Sequence, residues 1–356
     1  MSYKILAVNP GSTSTKIAVY EDEKELFSET VVHSDEELKK YNRVTDEFDM
    51  RKANILQVLE KHGVKTCDLS AVVGRGGQIT GIHAGGYLVT EDMKKRLTDR
   101  GTIEHASNLG ALIADAIASP LGIPSYIYDA VGADEMKEVA RITGFPEIVR
   151  KSFCHVLNSK AMCRKAAKQM GKTYEELNFI VAHLGGGISI SAHEKGRIID
   201  VISADGGPFS PERSGSAPLN NIVDMCYGGA YSYREMKKKL AGQGGLKAYL
   251  GISDCREIEK RIAQGDEQAK ILYEAQAYQI AKGVGELSPV LKGKIDGIIL
   301  TGGVAYSSML TDWITDYIGF IATVMVLPGE NELESLAAGA LRILEGKEQA
   351  EAYKEA

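Results

Sequence analysis

The sequence predicts a two-domain α/β protein built from a duplicated unit. An apolar strand, Ile5 to Val8, runs into Asn9-Pro10-Gly11 and a polar run Ser12-Thr13-Ser14-Thr15-Lys16, and a second apolar strand returns at Ile17 to Tyr20. The design recurs about half a chain later, with strand Phe179 to Leu184, turn Gly185-Gly186-Gly187 and an alternating strand Ile188 to His193. Between and after these hairpins, strand-length apolar runs alternate with helix-period segments, as in layered α/β folds.

The first hairpin is built to hold phosphate. Gly11 lets the backbone approach an anion, Ser12, Thr13, Ser14 and Thr15 offer hydroxyl donors, and Lys16 adds positive charge. An ordinary polar turn is the simpler reading, but it needs two to five residues and one glycine, not four hydroxyls ending in lysine. Each copy then continues into a third strand. In the first the turn is Glu21 to Lys24 and the strand Glu25 to Val32; in the second they are Glu194 to Gly196 and Arg197 to Ser203. Two phosphate-type hairpins, each opening a three-stranded meander, predict a duplication with one nucleotide between the halves.

The remaining elements follow from periodicity. Between the meanders, Arg51 to Lys61 and Ala106 to Ala118 read as helices, and Ala71 to Gly74 and Ser125 to Tyr128 as strands. After the second meander, helices are expected near Leu219 to Cys226, Tyr233 to Leu240, Arg256 to Ala263 and Asp266 to Leu287. Asp296 to Thr301 reads as a buried strand, Gly302-Gly303 as a tight turn able to lie against a purine or ribose, and Ser307 to Tyr317 as a helix. A plain strand-to-helix connection uses glycine just as readily. The first domain is expected over 1–130, with a crossing at Asp129 to Gly132; the second spans 131–331, and a helix from Glu332 to Leu344 crosses back so that 332–356 completes the first domain. Two such crossings form a hinge that lets the domains close over ligands.

Composition excludes several classes of protein. At 356 residues the chain is long for one core. A net charge of −6 and a pI near 5.8 give no electrostatic reason to expect nucleic acid or an anionic membrane as partner. Runs such as Lys94-Lys95-Arg96 and Lys237-Lys238-Lys239 read as solvated helix faces. Five widely spaced cysteines without a Cys-x-x-Cys pair read as reduced thiols, neither zinc site nor disulfide framework. With no run of 18 apolar residues and Met1-Ser2-Tyr3-Lys4 leading straight into a strand, the expected location is the cytoplasm.

The order of phosphate hairpin (Asn9 to Lys16), second phosphate loop (His183 to Ser189) and adenosine loop (Leu300 to Ser307) resembles the acetate and sugar kinase, Hsp70 and actin superfamily. Within it, Asn-x-x-Ser-Thr-Ser-x-Lys resembles the acetokinase family. The resemblance covers essentially the whole chain. It implies two ribonuclease-H-like domains of the actin-like ATPase fold, ATP/ADP and Mg²⁺ as cofactors, a small-molecule carboxylate as substrate and a homo-oligomer. It further implies that Asn9, Ser12, Ser14 and Lys16 hold phosphates and metal, that His183 and Gly185, Gly186 and Gly187 take the β-phosphate, and that Gly302 and Gly303 face the adenosine. Arg75, in Arg75-Gly76-Gly77, would grip the carboxylate with its guanidinium fork. His155 and Arg213, the latter in Pro211 to Ser216, would meet the transferring phosphoryl group. Asp129 and Glu332 would hold the metal through water. Each also has an ordinary reading: a lone arginine is usually a surface residue, and a strand-end aspartate is equally a cap or turn residue.

Departures from acetate kinases narrow the expectation. Those proteins show Phe-His-Gly-Thr-Ser-His, whereas this chain has Cys154 between Phe153 and His155; Gly186 stands where they carry asparagine; and their arginine is three residues from its Gly-Gly. These differences, with a shorter chain, lean the substrate away from acetate and towards a four-carbon acid, with branched acids, acetate or propionate as alternatives. A sugar or other hydroxyl-compound kinase would need Asp129 as a general base, and an actin-like nucleotide switch would need insertions that this chain lacks. A dinucleotide-binding dehydrogenase is disfavoured because Gly185 to Gly187 opens a strand, not a helix. Apolar residues near the carboxylate site, Ile79, Ile82 and Phe209, are candidates for the acyl wall.

Overall fold

The computed structural model describes residues 2–354. They form two units, residues 2–134 with 331–354, and residues 135–330. Each is built on one sheet.

The sheet of the first unit holds β1 (Lys4–Pro10), β2 (Ser14–Glu21), β3 (Lys24–Val32), β4 (Ala71–Arg75), β5 (Gly86–Leu88), β6 (Ser125–Tyr128) and β12 (Glu351–Ala352) in the order β12-β5-β6-β4-β1-β2-β3. That of the second unit holds β7 (Asn178–Leu184), β8 (Ile188–Glu194), β9 (Arg197–Ile202), β10 (Gly297–Gly302) and β11 (Val324–Pro328) in the order β11-β10-β7-β8-β9. The cores of the two sheets are the same. In both, an antiparallel three-stranded meander is flanked on its first strand by two parallel strands. Even the irregularities match, because the pairing of second and third strands slips at Val19/Tyr20 in one unit and at Ala192/His193 in the other.

Burial explains the continuous apolar character of the first strands. Ile5 to Val8 are fully buried, with Leu6 and Val8 packed beside Ile17 and Val19 against Ile55, Val58 and Leu59 of helix Phe48–Lys61 and Leu109, Ile113 and Ile117 of helix Asn108–Ala118. Helix Glu332–Leu344 also packs on β1 and β4. In the second unit, Ile180, Ala182 and Leu184 pack with Tyr273, Ala277 and Ile280 of helix Glu267–Leu287 and with Leu310 and Ile314 of helix Ser308–Ile318.

Glycine sets the approach of helix Asn108–Ala118 to the strand that ends in Arg75. A methyl group on Gly74 would run into the backbone of Gly110, and one on Gly110 into that of Arg75. This contact fixes where Arg75 emerges.

Three sequence expectations need adjustment. The first strand does not break at Asn9; Asn9 pairs with Lys16 and Pro10 with Thr15, so the hairpin tip is only Gly11 to Thr13. Proline is tolerated there because it ends the strand. The helix expected from Arg51 starts at Phe48, continuing from a 3₁₀ turn over Val44–Glu47. Ile79 and Ile82 lie in a core cluster with Met93, Leu97 and Ile127, and Phe209 in the core of the second unit, so none of the three is an open acyl wall.

Candidate active site

The first unit gathers six of its sequence-predicted residues around one cavity of about 210 Å³. Asn9, Ser12, Ser14, Lys16, Arg75 and Glu332 line it, with Pro10, Gly11 and His105. The hairpin supplies the first four, the end of β4 supplies Arg75, and the first residue of helix Glu332–Leu344 supplies the carboxylate. Glu332 is the hub. Its Oε1 accepts from Arg75 Nη1, its Oε2 accepts from Asn9 Nδ2, and Lys16 Nζ stands 4.0 Å from Oε2. The Nε of Arg75 is buried and makes no hydrogen bond.

His105 is the lining residue that sequence reasoning missed. It sits three positions before helix Asn108–Ala118, with Nδ1 2.6 Å from Ser107 Oγ. Burial, and then the charge of Arg75, hold its pKa below the ordinary histidine value, so it is neutral at pH 7. No signal in the sequence marks it, because only the fold brings the start of this helix against Arg75.

Asp129 is not among the residues lining this cavity. It is buried at the end of β6, in the left-handed region at φ 42°, and its Oδ1 accepts from Gly85 N–H at 2.9 Å while its own N–H donates to Gly85 O at 3.0 Å. One carboxylate oxygen is therefore committed to the backbone.

The second unit brings together His155, His183, the glycine loop and the Arg213 loop. The rings of His155 and His183 stack at 3.8 Å and 20°. His183 is buried, with Nδ1 3.1 Å from Asn158 Nδ2, which also donates to Thr301 Oγ1 at 3.1 Å. Its Nε2 makes no hydrogen bond and lies 3.7 Å from Glu330 Oε1. Ligand atoms of His155, His183 and Glu330 all fall within 4.8 Å of one another. Two nitrogens and one oxygen suit a borderline metal ion, not Mg²⁺, which takes oxygens.

The loop from Gly207 to Ser216 is tied to the glycine turn. Ser210 Oγ donates to Gly186 O at 2.6 Å, Arg213 N–H donates to Ser210 Oγ at 3.1 Å, and Ser210 N–H donates back to Arg213 O at 3.0 Å. A Cβ at Gly187 would stand 2.9 Å from Arg213 Nε, so glycine there gives the guanidinium its room. Arg213 Nη1 pairs at 3.0 Å with Asp205, whose side chain is 70% exposed. A second cavity, of about 610 Å³, is lined by Gly186, Glu212, Cys255, Glu259, Gly303, Tyr306 and neighbours. Gly302 adopts φ 91° with the backbone of Leu184 close by, a position only glycine fills without strain. The helix after it begins at Ser308, capped by Ser307 Oγ accepting from Leu310 N–H.

Two units of one strand order, each carrying a phosphate-type hairpin between its first two strands, define the actin-like ATPase fold. The chain belongs to the acetokinase family, whose family model matches residues 144–320. It is 50% identical to the probable butyrate kinase 2 of Caldanaerobacter subterraneus subsp. tengcongensis over 352 residues, 99% of each chain. It is 48% identical to butyrate kinase 2 of Clostridium acetobutylicum, covering 99% of this chain and 100% of that one. Among solved structures, Porphyromonas gingivalis acetate kinase superposes with a TM-score of 0.80 at 20% identity, covering 96% of this chain and 100% of that one. A propionate kinase from Francisella tularensis gives 0.71 at 21% identity, covering 94% and 98%.

Proposed function

We propose that this acetokinase-family chain transfers the γ-phosphoryl group of ATP to the carboxylate of butyrate, reversibly giving butyryl phosphate and ADP. The family membership and the two butyrate kinases of about half-identical sequence support the substrate class. The observation that carries the chemistry is Arg75. Its Nη1 holds Glu332 while its buried Nε has no partner, in a cavity that also contains Lys16 and Asn9. A guanidinium and an ammonium lining one cavity make it a site for an anionic group.

A carboxylic acid suits this site better than an alcohol. With a pKa near about 4.3, the acid is already ionised at neutral pH and needs no general base. The carboxylate of the cavity, Glu332, is already held by Arg75 and Asn9. In the forward step a carboxylate oxygen forms the new P–O bond as the bond from the γ-phosphorus to the β–γ bridging oxygen breaks, leaving both electrons on ADP. Arg75 positions the carboxylate, Arg213 and His155 meet the charge spread over the phosphoryl oxygens, and the hairpin of Ser12, Ser14 and Lys16 with the loop Gly185 to Gly187 binds phosphate. His183 orients that loop, and Gly302 and Gly303 leave room for the adenosine.

The residues fit Mg²⁺ through water. Glu332 and Asn9 are oxygen donors in one cavity, but both Glu332 oxygens already accept hydrogen bonds, and Asp129 has one oxygen committed to Gly85. Bound there, Mg²⁺ would neutralise phosphate charge. Cytoplasmic location and self-association, expected from the sequence and the resemblance, belong to the same reading.

A hydroxamate assay with Mg-ATP and acetate, propionate, butyrate, isobutyrate or valerate tests it. At about 0.8 kcal/mol per buried methylene, butyrate should exceed acetate in kcat/KM by roughly tenfold or more. Isobutyrate should also react. A higher kcat/KM for acetate would overturn butyrate and leave the kinase; hydroxamate from none of the acids would overturn the carboxylate reading.

A further inference from the structure

Arg51 is among the largest fully buried side chains of the protein, and it lies directly behind the tip of the phosphate hairpin. It projects from helix Phe48–Lys61. Its Nη1 donates to Gly11 O at 2.9 Å, Ser14 O at 3.1 Å and Thr15 Oγ1 at 2.9 Å, and its Nη2 donates to Ser12 O at 3.3 Å. The one tip carbonyl that it leaves, Thr13 O, accepts from His33 N–H at 2.9 Å. Four consecutive carbonyls, Gly11 to Ser14, are thus all bound on the buried side.

Peptide geometry turns this into a consequence for the other side. A planar trans peptide points its N–H opposite its C=O, and no cis bond is found among the described residues. Holding the carbonyls of Gly11 and Ser12 on Arg51 therefore turns the N–H groups of Ser12 and Thr13 away from it, and the bond from His33 N–H to Thr13 O turns the Ser14 N–H away from His33. Ser12 and Ser14 line the cavity, and Arg51 does not. Successive N–H groups turned to one side form an anion-binding concavity. Glu47, itself buried, fixes the guanidinium with its Oε2 2.8 Å from Nε and 2.7 Å from Nη2.

We infer that Arg51 is a positioning residue for nucleotide phosphate, clamping the hairpin carbonyls inward so that the amides present a preformed anion nest. This rests on the hairpin binding phosphate, as proposed above. A single guanidinium is suited to the task because its planar fork spreads donors over three nitrogens at fixed spacing, whereas an ammonium offers three donors on one atom.

The test is steady-state kinetics and fluorescent-ADP binding on the full chain, with Ser12→Ala as the control that reads the hairpin directly. The double variant Arg51→Met with Glu47→Gln avoids stranding a buried carboxylate. It should keep its circular dichroism spectrum, weaken ADP binding and raise KM for Mg-ATP by about tenfold or more, and leave KM for the acid within about threefold. Arg51→Lys should recover only part of the nucleotide affinity. Glu47→Gln, which loosens the fork without removing it, should weaken ADP by a smaller factor and decides the matter if the double variant does not fold. If Ser12→Ala weakens ADP and the Arg51 and Glu47 variants do not, the clamp is wrong. If all of them lower kcat and raise both KM values alike, Arg51 serves stability alone and the inference is overturned. If none of these variants, Ser12→Ala included, changes ADP binding, the hairpin reading itself falls and the clamp falls with it.

Discussion

Arg75 and Glu332, 257 residues apart along the chain, form an ion pair in the hairpin cavity, and Asn9 donates to the same carboxylate. The pair sets the direction of the Arg75 fork. Glu332 occupies Nη1, and Nε is buried without a hydrogen bond.

Arg75→Ala is expected to raise KM for butyrate by about tenfold or more while KM for Mg-ATP stays within about threefold. Arg75→Lys should rescue little, because a point charge cannot hold Glu332 and a second carboxylate at fork spacing. Initial rates at varied acid and fixed nucleotide check this, and equal changes in both KM values would count against Arg75 as the carboxylate grip.

Arg213→Ala should lower kcat by about a thousandfold with fluorescent-ADP affinity nearly unchanged. Its partner Asp205 is largely exposed, so breaking that pair should scarcely alter thermal stability. Turnover within tenfold of the parent would remove Arg213 from the mechanism.

His155 stacks on His183 and is proposed to donate to a phosphoryl oxygen. His155→Gln, which donates without titrating, should keep roughly a tenth of the activity, and His155→Ala should lose about a hundredfold or more. Complete loss in the glutamine variant, with ADP binding preserved, would point to proton transfer.

Stability should fall in acid for a reason remote from the site. His193 is fully buried, with Tyr174 Oη 2.6 Å from Nδ1 and Ser191 Oγ 2.8 Å from Nε2. Burial, reinforced by the charges of Lys160 and Arg164, lowers its pKa from 6.5 to about 3. Above 6.5 it is neutral folded and unfolded alike. Below that, the unfolded chain takes up a proton that the folded chain refuses, so stability drops by up to about 1.4 kcal/mol per pH unit until the folded pKa is reached. His33, also depressed by burial, adds in the same direction. Urea midpoints from pH 7 to 4.5 should show a shallower slope in His193→Gln; an unchanged slope would assign the acid sensitivity elsewhere.

Much of the architecture was legible because local pattern and tertiary demand agree. Ser125–Tyr128 and Tyr233–Leu240 fall where periodicity placed them, and the third strands of both meanders begin or end within a residue of expectation. The strands β5, β11 and β12 were not seen; β5 and β12, of three and two residues, are too short to carry periodicity. Within the site, residues marked by glycine or by hydroxyl runs could be found from sequence. His105 and Arg51 could not, because their significance lies in what helices Asn108–Ala118 and Phe48–Lys61 bring them against. Arg51 reads as one more charge on an amphipathic helix, and only the fold shows it aimed at carbonyls.

The first unit is assembled from both ends of the chain, and β12 pairs with β5 at the edge of its sheet. Protein synthesis runs from the amino end. The middle unit, a single stretch from 135 to 330, emerges whole while its neighbour still lacks helix Glu332–Leu344. Until that helix leaves the ribosome, Arg75 and Asn9 have no Glu332 to meet. The hairpin is thus among the first segments made, yet its cavity is finished among the last, so a nascent or truncated chain ending before residue 331 carries the hairpin without the carboxylate that Arg75 and Asn9 hold.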